Sequence, residues 1–152
     1  HQFRKGDQRT RREIYTAYLA STGRINNWDL VDLSAEHVVG GWLYTRSRRP
    51  LYRLARSRCL WERRIAVLAT FHFVRRGEFD DTLALAELLR SDEHDLMHKA
   101  VGWLLREVGK RDRQAEETFL RRYCRQLPRT MLRYAIERFP EPLRRRYLNG
   151  EV

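Results

Sequence analysis

Apolar residues recur every three or four positions along nearly the whole chain, and no stretch alternates apolar with polar as a half-buried strand does. In "MHKAVGWLLREVGKRD", Met97, Val101, Leu104 and Val108 fall on one helical stripe, with Trp103 at its flank. Gly102 beside it permits another backbone, or a ligand, to come close. In "LWERRIAVLATFHFV", Trp61, Ile65, Leu68 and His72 form a second stripe, Arg64 sits at its edge, and Arg63 faces solvent. This periodicity fixes the fold class as all-α.

Punctuation between the stripes sets the helices. Ile14, Tyr15, Tyr18 and Leu19 give a helix from Arg11 to Ala20, closed by Gly23. Asn27 is placed to cap a helix from Trp28, and Ser34 to cap a second one carrying Val38, Val39, Trp42 and Leu43. Pro50 opens a short helix, a long one spans Leu60 to Val74 before Gly77, and another covers Phe79 to Leu89. Ser91 or Asp92 caps the helix from Glu93 to Val108, and helices over Ala115 to Leu127 and Pro128 to Phe139 precede a terminal turn around Leu143 to Leu148. The total is about nine helices with short connections. Counted from Trp28 to Arg64 to Trp103, the long helices recur at roughly 35 to 40 residues, the spacing of stacked helical pairs in a HEAT-like (ARM-like) solenoid, which curves into a concave groove. An irregular bundle is the competing architecture.

The 152 residues fit one domain, 1–152, and 42% hydrophobic content is enough for a core. The net charge of +11 selects an acidic partner, nucleic acid or an anionic membrane surface. Of the 31 basic residues all but Lys5, Lys99 and Lys110 are arginine, whose planar fork suits phosphate, although a GC-rich genome accounts for the same bias. Cys59 and Cys124 are too few and too far apart for a metal or disulfide framework and read as small buried hydrophobes in a reducing compartment. No apolar run is long enough to span a membrane, so the expectation is a soluble, cytoplasmic protein associated with the nucleoid.

"INNWDLVDLS" contains the most informative pairing. Trp28 and Asp32 are four apart and share one helical face. A carboxylate beside an indole is exposed, paired with an arginine, or present to do chemistry. Taken singly, each outlier has an ordinary explanation: the tryptophans as core, Arg64 as a snorkelling or paired edge residue, Asp32 as a cap or ion-pair partner. His94 and His98 in "HDLMH" are spaced as a metal pair, but no glutamate follows the first and no third ligand stands near, so no metal and no cofactor are expected.

Three blocks in order, "NNWDLVD", "WERRIAVLATFHFV" and "HKAVGWLLRE", make the chain resemble the AlkD-like family of DNA alkylation repair proteins, alkylpurine DNA glycosylases built from HEAT-like repeats. The resemblance implies that Asp32 is the catalytic aspartate and that Trp28 and Trp103 contact the damaged nucleotide from a basic concave groove. It implies that Arg64 holds backbone phosphate, and that the lesion is recognised while still stacked. Family members carry further helices before the segment matching Arg11, and this chain begins at His1 without a methionine, so the resemblance also implies missing N-terminal helices.

The implied activity is hydrolysis of the N-glycosidic bond of cationic purines such as 7-methylguanine and 3-methyladenine in double-stranded DNA, by a monomer, in base excision repair. Two alternatives differ in class: a non-catalytic HEAT-like protein binding distorted or branched DNA, and a helical scaffold for an acidic protein. Retention of Asp32 favours the enzyme. The arginine-rich segment "LRRRYLNG" is a phosphate contact or, more simply, a solvated helix face.

Overall fold

A computed structural model of the chain describes residues 2–22 and 28–152, without the side chains of Gln2, Trp28, Asp29, Leu30 and Leu33. Among the described residues every regular element is a helix, which agrees with a helical-repeat fold. The chain forms two compact units, His1–Glu78 and Phe79–Val152. Gly23 and Asn27 lie outside the described residues.

In the first unit, α1 (Gln2–Lys5) precedes α2 (Gln8–Ala20). The start of α2 is three residues earlier than its apolar spacing suggests, because the Asp7 side chain accepts a hydrogen bond from the Thr10 backbone N–H at 2.8 Å. Helix α3 (Trp28–Ala35) then runs without interruption through a π-helical turn, Glu36–Gly40, into α4 (Gly41–Leu43). Ser34 is therefore not a cap. Ala35 keeps right-handed helical angles, φ −58° and ψ −43°, and the Ser34 hydroxyl bonds the Tyr18 hydroxyl of α2 at 2.9 Å instead.

Helix α5 (Arg49–Ala55) begins with Pro50 in its first turn, as its missing N–H allows. The stretch expected as one long helix is two, α6 (Leu60–Ala69) and α7 (Phe71–Val74). Thr70 breaks it by tightening: its N–H and its hydroxyl both bond the Val67 carbonyl, at 3.1 and 2.6 Å. Gly77 ends the segment with φ 80°, a left-handed angle that costs a glycine nothing.

Two relationships give the helix directions. Arg64 meets Asp32, and Gly40 abuts Ala69 and His72, so α3–α4 and α6 lie side by side and run the same way, with α5 packed on α6 between them in sequence. A methyl group at Gly40 would overlap the Ala69 carbonyl, which is why this contact takes glycine. Val31, Val39, Leu51, Ile65, Phe73 and Val74 fill the core between them, each fully buried. Every such side chain contributes about 1.5 to 3 kcal/mol of transfer free energy.

The second unit repeats the plan. Helix α8 (Asp80–Leu88) leads into α9 (Asp95–Arg111), α10 (Arg113–Tyr123), a 3₁₀ turn at Cys124–Gln126, α11 (Arg129–Ala135) and α12 (Glu141–Leu148). Gly102 faces Met131 and Tyr134 while Arg106 pairs with Glu137, so α9 and α11 also run side by side in one direction. Met97, Val101, Leu104 and Val108 are all buried, the stripe their spacing defines.

Neither Ser91 nor Asp92 caps α9. The His94 imidazole takes that place, accepting from the Leu96 N–H at 3.2 Å, while Asp92 accepts from the His94 N–H at 2.9 Å. The helix also continues past Gly109, which is a glycine for packing and not as a stop: Glu116 of α10 occupies the space a Cβ there would need. Cys124 is buried as expected, but Cys59 is half-exposed at the start of α6. No helix of the described residues is long and apolar enough to cross a membrane.

Candidate functional site

Asp32 and Arg64, 32 residues apart in sequence, meet between α3 and α6. Arg64 Nε donates to Asp32 Oδ1 at 3.1 Å and Nη2 to Oδ2 at 3.3 Å, the forked geometry that a guanidinium and a carboxylate form as two parallel bonds. The two partners differ in exposure: the Arg64 side chain is 6% accessible and that of Asp32 33%. The arginine is thus a fixed support beneath a carboxylate that still reaches solvent. Each carboxylate oxygen has a second lone pair, so the fork leaves Asp32 capacity to accept from a water or to face a cation.

Local sequence explains why the support is rigid. Arg64 lies in the second turn of α6, just before the fully buried Ile65 and Ala66, and is itself buried, so its stem is held by packing. Its neighbour Arg63 is not simply solvent-facing; its Nη1 donates to the Ser57 and Arg58 carbonyls at 3.1 and 3.0 Å, tying α6 to the loop before it. On the other side of Asp32, α2 supplies Tyr18. Burial raises its phenol above the usual tyrosine range, the Ser34 hydrogen bond opposes this, and the nearby Asp32 charge adds to the rise. Tyr18 thus bonds Ser34 and feels the Asp32 charge, yet nothing in their own spacing marks either residue.

A second carboxylate–arginine pair lies one helical turn on. Glu36, buried in the π turn, accepts from Arg75 Nε at 2.5 Å, and the Arg75 guanidinium lies 4.0 Å from the centre of the Phe71 ring. Beyond it the helices open into a cleft of about 650 Å³ bounded by α1, α2, α4 and α7.

Trp28 opens α3 one turn before Asp32, so its backbone stands on the Asp32 face; its side chain is outside the described residues. Trp103 belongs to the second unit, half-exposed on α9 between Gly102 and Leu104. Gly102 serves a backbone and not a ligand: a Cβ there would stand 2.6 Å from the Met131 carbonyl oxygen of α11. His94 and His98 are engaged in starting α9, the second through the Asp92 carbonyl. Among the described residues no cluster of three or more His, Cys, Asp or Glu side chains is arranged to hold a metal.

The first unit therefore presents an exposed carboxylate clamped by a buried arginine, on neighbouring helices that run the same way. The family profile described as DNA alkylation repair enzyme matches residues 2–139, most of the chain. The chain belongs to that family. Its work is DNA alkylation repair, and DNA is its partner. No curated protein and no solved structure matches it. Within this alkylation repair protein, Asp32, Arg64 and Trp103 all fall inside the matched region, as do Tyr18 and Ser34.

Proposed function

We propose that this protein is a DNA glycosylase, acting as a monomer on duplex DNA, that hydrolyses the N-glycosidic bond of cationic alkylated purines such as 7-methylguanine and 3-methyladenine. The observation that carries this is the Asp32 carboxylate, one-third exposed and held at both oxygens by Arg64.

Alkylation at N7 or N3 places positive charge on the purine. The bond from C1′ to the base nitrogen then breaks with its electron pair leaving on the base, which departs neutral and needs no strong general acid. The sugar left behind has oxocarbenium character. A fixed carboxylate stabilises that cation and accepts a hydrogen bond from the water whose oxygen bonds to C1′; the water's proton passes to the carboxylate and on to solvent. Asp32 takes this role. Trp28 and Trp103 contact the cationic nucleotide through their ring faces.

Arg64 acts in the first place on Asp32. The resemblance adds a backbone phosphate to its partners, and that contact is part of the same proposal.

The ion pair favours a second reading as well. A carboxylate already compensated by a guanidinium attracts a cation less strongly than a lone one, which suits a relative that binds distorted DNA without cutting the glycosidic bond. Duplex DNA carrying a single 7-methylguanine separates the two. The enzyme releases free 7-methylguanine and leaves an alkali-labile site; a binding protein retards the duplex and releases nothing.

A further inference from the structure

We propose that the cleft beyond Glu36 in the first unit is a phosphate seat, built from Arg4, Arg11, Arg46 and Arg76 and occupied by a phosphodiester of the DNA strand. It rests on DNA being the partner and is independent of glycosylase activity.

The charge balance comes first. Five guanidiniums line the cleft against one carboxylate, Glu36, and Arg75 already pairs with it. The other four spend donors on neutral acceptors. Arg4 Nη2 stands 3.0 and 3.1 Å from the two ring nitrogens of His37, and Arg11 Nη2 donates to the Arg4 carbonyl at 3.1 Å. Arg46 Nη1 donates to the Trp42 carbonyl at 2.6 Å, and Arg76 Nη1 to that of His72 at 2.7 Å.

Among the described residues no carboxylate lies within ion-pair distance of these four. Arg11 Nε is buried without a hydrogen-bond partner there. Positive charge gathered in a half-enclosed space, with donors left over, is complementary to an anion, and phosphate matches guanidinium geometry.

The walls hold this charge in place. Phe3 packs over Gly41, where a Cβ would stand 3.1 Å from its ring, and the Arg46 guanidinium lies 3.4 Å from the centre of the Trp42 ring, itself stacked on Tyr15 at 5.7 Å. His72 adds a supporting mark. Burial first, then the charges of Arg76, His37, Arg48 and Arg4, press its imidazole down to about 4; Tyr44 and Phe73 face it edge-on. His37 is lowered too, by burial in the main, with Arg4 and Arg75 adding to it and Glu36 opposing. In both rings the guanidinium charges add to the effect of burial, and an anion in the cleft would oppose that added part.

Position also fits. Glu36 is four residues past Asp32, roughly 6 Å along a helix at about 1.5 Å per residue, within two base steps of about 3.4 Å each. Arg46 is fourteen residues past Asp32, roughly 21 Å at the same rise, so the seat takes a phosphate several nucleotides along the strand from the sugar at Asp32.

The test follows the His37 and His72 ring protons by NMR in the intact protein, titrated with pH. The probes are inorganic phosphate, and a blunt duplex of undamaged DNA without terminal phosphates. With either probe, against chloride at equal ionic strength, the His72 midpoint is expected to rise from about 4 by roughly one pH unit or more. The double variant Arg4→Ala, Arg76→Ala abolishes the rise, and Asp32→Asn retains it. Equal shifts in chloride, or no shift while the duplex is bound by fluorescence anisotropy, overturn the proposal. A response to inorganic phosphate alone overturns the assignment of the occupant to DNA.

Discussion

Arg64 lies beneath Asp32 with Nε and Nη2 on the two oxygens of one carboxylate, so a guanidinium 6% accessible holds a carboxylate 33% accessible. A support of this kind is tested by changing its shape while keeping its charge. Arg64→Lys preserves a cation but loses the fork, and a charge-assisted bond is worth about 1.5 to 3 kcal/mol. Excision by this variant is expected to fall by about 10- to 100-fold, with the salt dependence of DNA binding unchanged. Arg64→Ala should lose excision and also reduce the salt slope by about 0.9, the value for one phosphate contact. Single-turnover kinetics and binding at several salt concentrations read the two effects separately.

The parallel contact of α3–α4 with α6 depends on Gly40. Gly40→Ala would drive a methyl into the Ala69 carbonyl, backbone that cannot swing aside. The expected loss is about 1 to 3 kcal/mol in chemical denaturation, with reduced excision because Asp32 and Arg64 sit on the two helices forced apart. Gly102→Ala should destabilise by a similar amount, since its Cβ would stand 2.6 Å from both the Met131 carbonyl oxygen and the Tyr134 Cβ. Wild-type stability in either variant would contradict the close packing described.

Glu116 is buried against Gly109, and its carboxyl is pushed up to about 9, by burial first and the Glu117 charge second, with Arg113 and Arg106 opposing. A raised acid is protonated in the folded protein while the unfolded chain ionises near 4.5. Its contribution is therefore complete below pH 4.5 and is lost progressively as pH rises towards about 9. Urea midpoints should decline over that window, and Glu116→Gln, which keeps the shape without the proton, should flatten the decline. A variant with the same slope as wild type would remove Glu116 as its source.

His72 gives the opposite slope. Its folded value of about 4 lies below the 6.5 of the unfolded chain, so the unfolded state binds the extra proton between them and stability falls as pH drops through that window. His72→Gln should weaken the dependence between pH 6.5 and 4, measured by thermal denaturation.

These relationships also mark what the residues disclose by themselves. The stripe of Met97, Val101, Leu104 and Val108, and Pro50 as a helix start, are local properties of helix geometry and are plain from spacing. Asp32 stands out by its tryptophan neighbour and Arg64 by its place at the edge of an apolar stripe, while the role of each comes only from the resemblance. Their pairing depends on α3 and α6 lying side by side, which no local pattern encodes. Ser34 misleads because a serine before an apolar run suits a cap equally well as a mid-helix position bonded to Tyr18. His94 as a cap, the break at Thr70 and Gly109 inside α9 are each decided by a competing hydrogen bond or a neighbouring side chain. The arginines of the cleft come from α1, α2, α4 and α7 and their flanks, so only the folded unit gathers them.

The most direct measurement is the single-turnover release of 7-methylguanine from duplex DNA by the wild-type protein and by Asp32→Asn. The substitution removes the negative charge and keeps the size. Wild type should excise, and the variant should be slower by about 100-fold or more while binding the duplex with similar affinity. Equal excision by the two proteins would contradict the assignment of Asp32 as the group that stabilises the departing sugar cation.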